Sequence, residues 1–96
     1  MFDQTFRALG EPTRREILRL LRDRDLNAGD IAAEFPISWA SVSRHLQVLR
    51  DAELVLATRD GQHIRYSLNT TVFHDAVQYL ADLAPGRKRR KGEPDA

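Results

Sequence analysis

The dipeptide Asp60-Gly61 stands between residues 55–59 and 62–68, two short stretches that read as strands. Glycine adopts the positive φ of a type I′ turn without steric cost, so the dipeptide predicts a two-residue β-hairpin with Asp60 and Gly61 at its tip. That turn sets Arg59 opposite Gln62, Thr58 opposite His63, Ala57 opposite Ile64, Leu56 opposite Arg65 and Val55 opposite Tyr66. One face of the ribbon then carries Val55, Ala57, Ile64, Tyr66 and Leu68. The other carries Thr58, His63, Arg65 and Ser67, with Leu56 the exception. A slip of one residue would mix the two faces, so this sorting supports the register.

Four helices are expected before the hairpin and one after it. Phe2, Phe6 and Leu9 recur at helical spacing, and Gly10 offers a left-handed cap to a short first helix. Pro12 suits the first turn of a second helix, whose buried stripe is Ile17, Leu20 and Leu21 with Leu18 beside them. Asn27 followed by Asp30 resembles a capping pair at the start of a third helix carrying Ile31, Ala32 and Phe35, and Pro36 ends it. Ser38 is then a good N-cap for a fourth helix, from Trp39 to about Ala52. The fifth, from about Thr70 to Ala84, carries two apolar stripes: Phe73, Val77, Leu80 and Ala84, and beside them Val72, Ala76, Tyr79 and Leu83. A small domain covers one such face with its own core. The second calls for a two-fold mate, meeting Val72, Ala76, Tyr79 and Leu83 with help from Phe2 or Phe6, unless both stripes are internal.

The fourth helix is crowded with hydroxyls, which compete with the backbone for hydrogen bonds, so something other than helix propensity selected them. At about 100° per residue, Val42, Leu46 and Leu49 fall within about 60° of one another and define a buried side. Ala40, Arg44, Gln47 and Asp51 fall opposite, with Ser41 and Ser43 on the flanks. This front is small, polar and cationic at one spot, as suits a helix pushed end-first into a DNA major groove. There Ser bonds a base edge or phosphate, Arg grips guanine, Gln reads adenine and Ala accommodates a thymine methyl. Amides at the helix start attract phosphate as well. Capping alone explains Ser38 but not Ser41, Ser43 and Arg44 together. At the hairpin tip Arg59, Gln62 and His63 would lie near the adjacent minor groove or backbone if the ribbon serves as a wing; otherwise they are solvated turn residues.

The stretches "LGEPTRREILRLL", "AGDIAAEF", "SVSRHLQVLRDAELV" and "RDGQHIRYSL" resemble the corresponding segments of the ArsR family of winged-helix bacterial repressors, and "GQHIRYSLNTTVF" is most similar to its SdpR-like branch. The resemblance covers about residues 5–80. It implies a mainly α winged helix-turn-helix fold with a β-hairpin wing, in a homodimer joined through the first and last helices. Such a dimer binds a roughly palindromic double-stranded DNA operator near a promoter and blocks transcription. By the same resemblance the groove contacts fall on Trp39, Ala40, Ser41, Ser43, Arg44 and Gln47, although Trp39 and Ala40 depart from the polar pair common there. The SdpR-like similarity further implies autoregulation or control by a regulatory partner protein.

Many members of that family sense metals, and these residues argue against it here. There is no cysteine to supply a thiolate site. The last helix has His74 alone, with Asp75 about 100° away around the helix and Asp82 two turns on. No metal and no cofactor is expected, a sensing site without cysteine being the alternative. Catalysis is not expected either: Ser43 and His45 diverge by about 160° on one helix, and no phosphate loop or dinucleotide fingerprint is present. A winged helix used for protein interaction is the remaining rival, disfavoured by the basic wing and the Arg44 face.

Charge supports a local contact surface. Residues 87–91 are all basic, and without the segment from Pro85 onward the chain has 10 basic against 12 acidic residues. Nucleic acid binding must therefore work through a patch and not a global field. Residues 1–84 are expected to form one DNA-binding and dimerisation domain, and 85–96 a flexible basic tail that is either a phosphate clamp or a solubilising end. No run of eighteen apolar residues and no basic start before an apolar stretch is present, which predicts neither membrane insertion nor a leader, and a cytoplasmic location.

Overall fold

The structure, a computed structural model, describes residues 2–85. In chain order they form α1 (Asp3–Leu9), α2 (Pro12–Asp23), β1 (Leu26–Asn27), α3 (Ala28–Ala32), α4 (Trp39–Asp51), β2 (Val55–Asp60), β3 (His63–Leu68) and α5 (Thr70–Leu83). This is the expected mainly α winged helix-turn-helix, with one additional short strand. The basic tail predicted over 85–96 lies, past Pro85, outside the described residues. Among the described residues no helix is long and apolar enough to cross a membrane.

Local chemistry sets the helix starts. Pro12 occupies the first turn of α2, where its missing N–H leaves no bond unmade, and the Arg14 amide donates to Glu11 Oε1 at 3.1 Å. The Asp30 amide donates to Asn27 Oδ1 at 2.8 Å at the head of α3, and the Ser41 amide to Ser38 Oγ at 3.1 Å at the head of α4. Ile17, Ile31, Val42, Leu49 and Leu54 are the largest wholly buried side chains, so α2, α3 and α4 meet on one core with the base of the hairpin. Leu18 and Leu21 join it, while Leu20 is half-buried at its flank.

Four details differ from expectation. The helix α3 ends at Ala32, not at Pro36: the Glu34 and Phe35 amides donate to the Ile31 and Ala32 carbonyls three residues back, so the chain tightens into turns before proline is reached. Gly10 is right-handed, with φ −77°, because the chain runs straight on into α2 instead of reversing. The short strand β1 pairs antiparallel with β3, Leu26 opposite Tyr66 and Asn27 opposite Arg65, and gives the sheet the order β1-β3-β2. Two residues ending at a helix cap carry no alternation to read.

The fourth is the hairpin register. Asp60 pairs with His63, Arg59 with Ile64, Thr58 with Arg65, Ala57 with Tyr66, Leu56 with Ser67 and Val55 with Leu68. The turn residues are Gly61 and Gln62, with Gly61 at φ 64° and Gln62 outside the positive-φ region. Glycine first in the turn is the type II′ preference, whereas Asp60-Gly61 at the tip would need positive φ at both. Since the displacement is two residues, every side chain keeps its face, and Val55 and Tyr66 are buried as the alternation requires.

The chain leaves α4 through a reversal. The Glu53 amide donates to the Arg50 carbonyl at 2.9 Å and the Leu54 amide to the Leu49 carbonyl at 3.0 Å, the paired bonds of a Schellman motif, with Glu53 at φ 61° where glycine is usual. Leu49 and Leu54 are both wholly buried and close the motif. This turn aims the wing back alongside α4.

Candidate nucleic-acid interface

The helix α4 is anchored by its apolar side and presents the rest. Val42 and Leu49 are wholly buried and Leu46 nearly so, while Ala40, Ser43, Arg44, Gln47 and Asp51 are exposed. Trp39 holds its indole outward, 57% exposed, at the first position of the helix. Ser41 is half-buried and belongs partly to the cap, since Ser38 Oγ donates to Ser41 Oγ at 3.1 Å. The Gln47 amide donates to Asp51 Oδ1 at 2.9 Å, which leaves its carbonyl oxygen for other work. Arg44 takes part in neither of the two ion pairs among the described residues.

The wing tip comes down beside the start of this helix. Trp39 and Ser43 share a cleft of about 410 Å³ with Gln62, His63 and Ile64. Side chains separated by some twenty positions in sequence thus line one cleft, in which apolar groups (Trp39, Leu46, Ile64, Tyr66) accompany the polar Ser43, Gln62 and His63. Arg59 is exposed at the tip but does not line the cleft; it shares its ribbon face with Ile64 instead of pairing with Gln62. Arg65 donates to Asp60 Oδ2 at 2.7 Å, and this hydrogen bond and charge hold its guanidinium more firmly protonated than usual. The pair neutralises one wing cation, while Arg59, whose Nη1 donates to the Gly61 carbonyl at 3.5 Å, has no ion pair among the described residues.

One residue with a structural part in the site gave no sequence signal. Arg14 Nε donates to the Ala8 carbonyl at 2.7 Å, and its Nη1 lies 3.3 Å from His45 Nδ1. A single guanidinium therefore ties the end of α1 to the middle of α4. Beside it, partial desolvation works against the Glu11 charge, but amide hydrogen bonds from Arg14 and Thr13, with His45 and Arg14 nearby, hold its carboxyl below the ordinary value. Arg14 reads as one more surface cation of α2, because helical periodicity does not report which polar side chains bridge between helices.

Residues of the predicted subunit surface also have places. Phe2 and Phe6 stack obliquely on Tyr79, with ring centroids 5.2 and 6.0 Å away. Ala76 is buried and Val72 half-buried within the single chain, whereas Tyr79, Leu80 and Leu83 are 42%, 51% and 62% exposed. Among the described residues no three His, Asp or Glu side chains gather as metal ligands could. His74 and Asp75 are exposed on α5, and Asp82 accepts from Gln78 Nε2 at 2.9 Å.

Comparison with known proteins gives this arrangement its context. Residues 11–56, from the cap of α2 into β2, match the bacterial regulatory protein, arsR family. The transcriptional repressor SdpR of Bacillus subtilis (strain 168) is 49% identical over 84% of this chain and 90% of that protein. The ArsR-like transcriptional regulator from Rhodococcus sp. RHA1 superposes with a TM-score of 0.81 at 29% identity, covering 93% of this chain and 84% of that one. The homodimeric winged helix-turn-helix DNA-binding domain Mb0332 from Mycobacterium bovis superposes with a TM-score of 0.67 at 28% identity, covering 82% and 76%. These relatives are regulators of transcription and not enzymes. With the polar face of α4, the wing beside it and these similarities in agreement, the chain belongs to the arsR family and is a DNA-binding transcriptional repressor.

Proposed function

We propose that the chain acts as a homodimer on a roughly palindromic operator close to a promoter, each copy presenting α4 to one of two successive major grooves. The cleft shared by the head of α4 and the wing tip supports this reading, because it brings Trp39 and Ser43 of the helix beside Gln62 and His63 of the wing. In this reading Arg44 takes guanine O6 and N7, Ser43 and Gln47 bond base edges, and Trp39 and Ala40 set a thymine-methyl contact at the leading edge. Ser41 contributes less, being held in the cap. Arg59, Gln62 and His63 follow the adjacent backbone or minor groove.

The second copy packs on the exposed part of α5, Tyr79, Leu80 and Leu83, with Phe2 and Phe6 extending the surface through Tyr79. Val72 and Ala76 support that face from beneath more than they touch the partner. The molecule works in the cytoplasm without a resident metal, as residues 1–84 with a basic tail, and controls its own promoter or answers to a partner protein. Mobility shifts on the chain's own upstream region test the reading, with a random duplex as competitor. The expected result is a shifted species holding two copies that random DNA displaces only at large excess. Equal affinity for random duplex at low ionic strength would overturn it.

A further inference from the structure

We propose that the groove between α2 and α5 is a binding site for an amphiphilic carboxylate, an alkyl chain of about eight to twelve carbons with one anionic head. This inference is independent of the operator reading, since binding is measured without DNA.

The groove is an open one of about 490 Å³ that shares no lining residue with the α4–wing cleft. That volume falls within the range of small-molecule sites, and such sites are apolar with a few placed polar groups. Leu9, Leu18, Leu68 and Phe73 give it an apolar floor, with the exposed Val77 at its edge and Thr70 and His74 beside it. The α2 wall carries Arg15, Arg19 and Arg22, which recur at i, i+4 and i+7 and form one stripe of about 10 Å with uncompensated charge at its two ends. Arg15 Nη1 donates to the Leu9 carbonyl, which holds it at the rim with its charge uncompensated, and Arg19 pairs with Glu16. Arg22 has no ion pair among the described residues and is the anchor for the head group.

Charge decides among occupants. The chain's own residues 86–96 carry five cations and two acids and are repelled by this wall. In the proposed dimer, on which this exclusion rests, the second copy takes Tyr79, Leu80 and Leu83, none of which lines the groove. An apolar tail on the floor with a carboxylate on guanidinium uses both chemistries at once, since arginine pairs bidentately with carboxylates.

Titration calorimetry of the full chain with decanoate below its micellar concentration tests the site. The expected result is saturable binding of one decanoate per chain. Affinity should rise about fourfold for each methylene added from octanoate until the floor is covered. Decanol, without the charge, should bind at least about tenfold more weakly, and Arg22→Glu, an exposed substitution that leaves the core intact, should lose a similar factor. Equal affinity for decanol, an unchanged isotherm for Arg22→Glu, or unsaturable uptake of many molecules per chain would each overturn the proposal. Circular dichroism of Arg22→Glu separates lost binding from lost folding. The double variant Arg15→Gln, Arg22→Gln removes the wall charge without reversing it and must lose affinity likewise.

Discussion

Arg44 and Arg59 are both exposed cations, yet they stand in different places and should fail differently. Arg44 projects from the face of α4 opposite Val42 and takes part in no ion pair among the described residues, which suits the base-reading role proposed for it. Arg44→Ala should cost about 1 to 3 kcal/mol of operator binding and relax preference at one base pair. Arg59→Ala should weaken all duplexes alike and reduce the salt slope by about 1. Fluorescence anisotropy on operator and random duplex over a salt series distinguishes them; equal losses on both DNAs for Arg44→Ala would exclude base reading. Glu11 makes a second prediction. Its carboxyl is held below 4.5, so its charge stabilises the fold above the unfolded value and that contribution disappears as pH falls through the folded one. Glu11→Gln keeps an acceptor for the Arg14 amide but removes the charge. The melting-temperature gap between wild type and variant should therefore be present at pH 7 and close as the carboxyl is protonated in acid; a gap that widened in acid would contradict the assignment.

At the scale of elements, the turn after α4 has a cost that can be removed. Glu53 takes the left-handed conformation that L-residues enter at a penalty of about 1 kcal/mol, within a motif that favours glycine. Glu53→Gly should raise stability by up to about 1 kcal/mol in urea unfolding, while Gly61→Ala should lower it by a similar amount, because its φ is 64° and nothing else obstructs a methyl there. A destabilised Glu53→Gly would mean that the side chain has a role beyond its backbone. These two positions also mark what the sequence discloses. Alternation around Gly61 revealed the wing and its buried face, since period two survives a shift of two residues; it could not choose between a tip at Asp60-Gly61 and one at Gly61-Gln62. Capping chemistry located Asn27 and Ser38 correctly because those bonds span three residues. Glu53 and β1 stayed illegible because both are set by the tertiary path, the first by where the wing must go and the second by an edge of β3 left open to Leu26. The polar face of α4 could be read from its angles, but the cleft with the wing and the Arg14 tie to His45 join residues 20 to 31 positions apart, beyond any local pattern.

For the molecule as a whole, the proposed reading couples dimerisation to DNA binding, because one α4 per chain would meet only half of a palindromic operator. Leu83 is exposed at the end of α5, so Leu83→Glu leaves the core untouched while placing charge on the proposed subunit surface. It should give a monomer of about 11 kDa by light scattering that retains its helical signal. It should also lose operator affinity far more than affinity for random DNA. The most direct measurement of the account is protection of guanine N7 from methylation along the operator by the wild-type chain. Two protected clusters on one face of the duplex, centred about one helical turn (10 base pairs) or an integral multiple apart and lost together in Leu83→Glu, are the predicted result. A single cluster, or two on opposite faces of the helix, would contradict it.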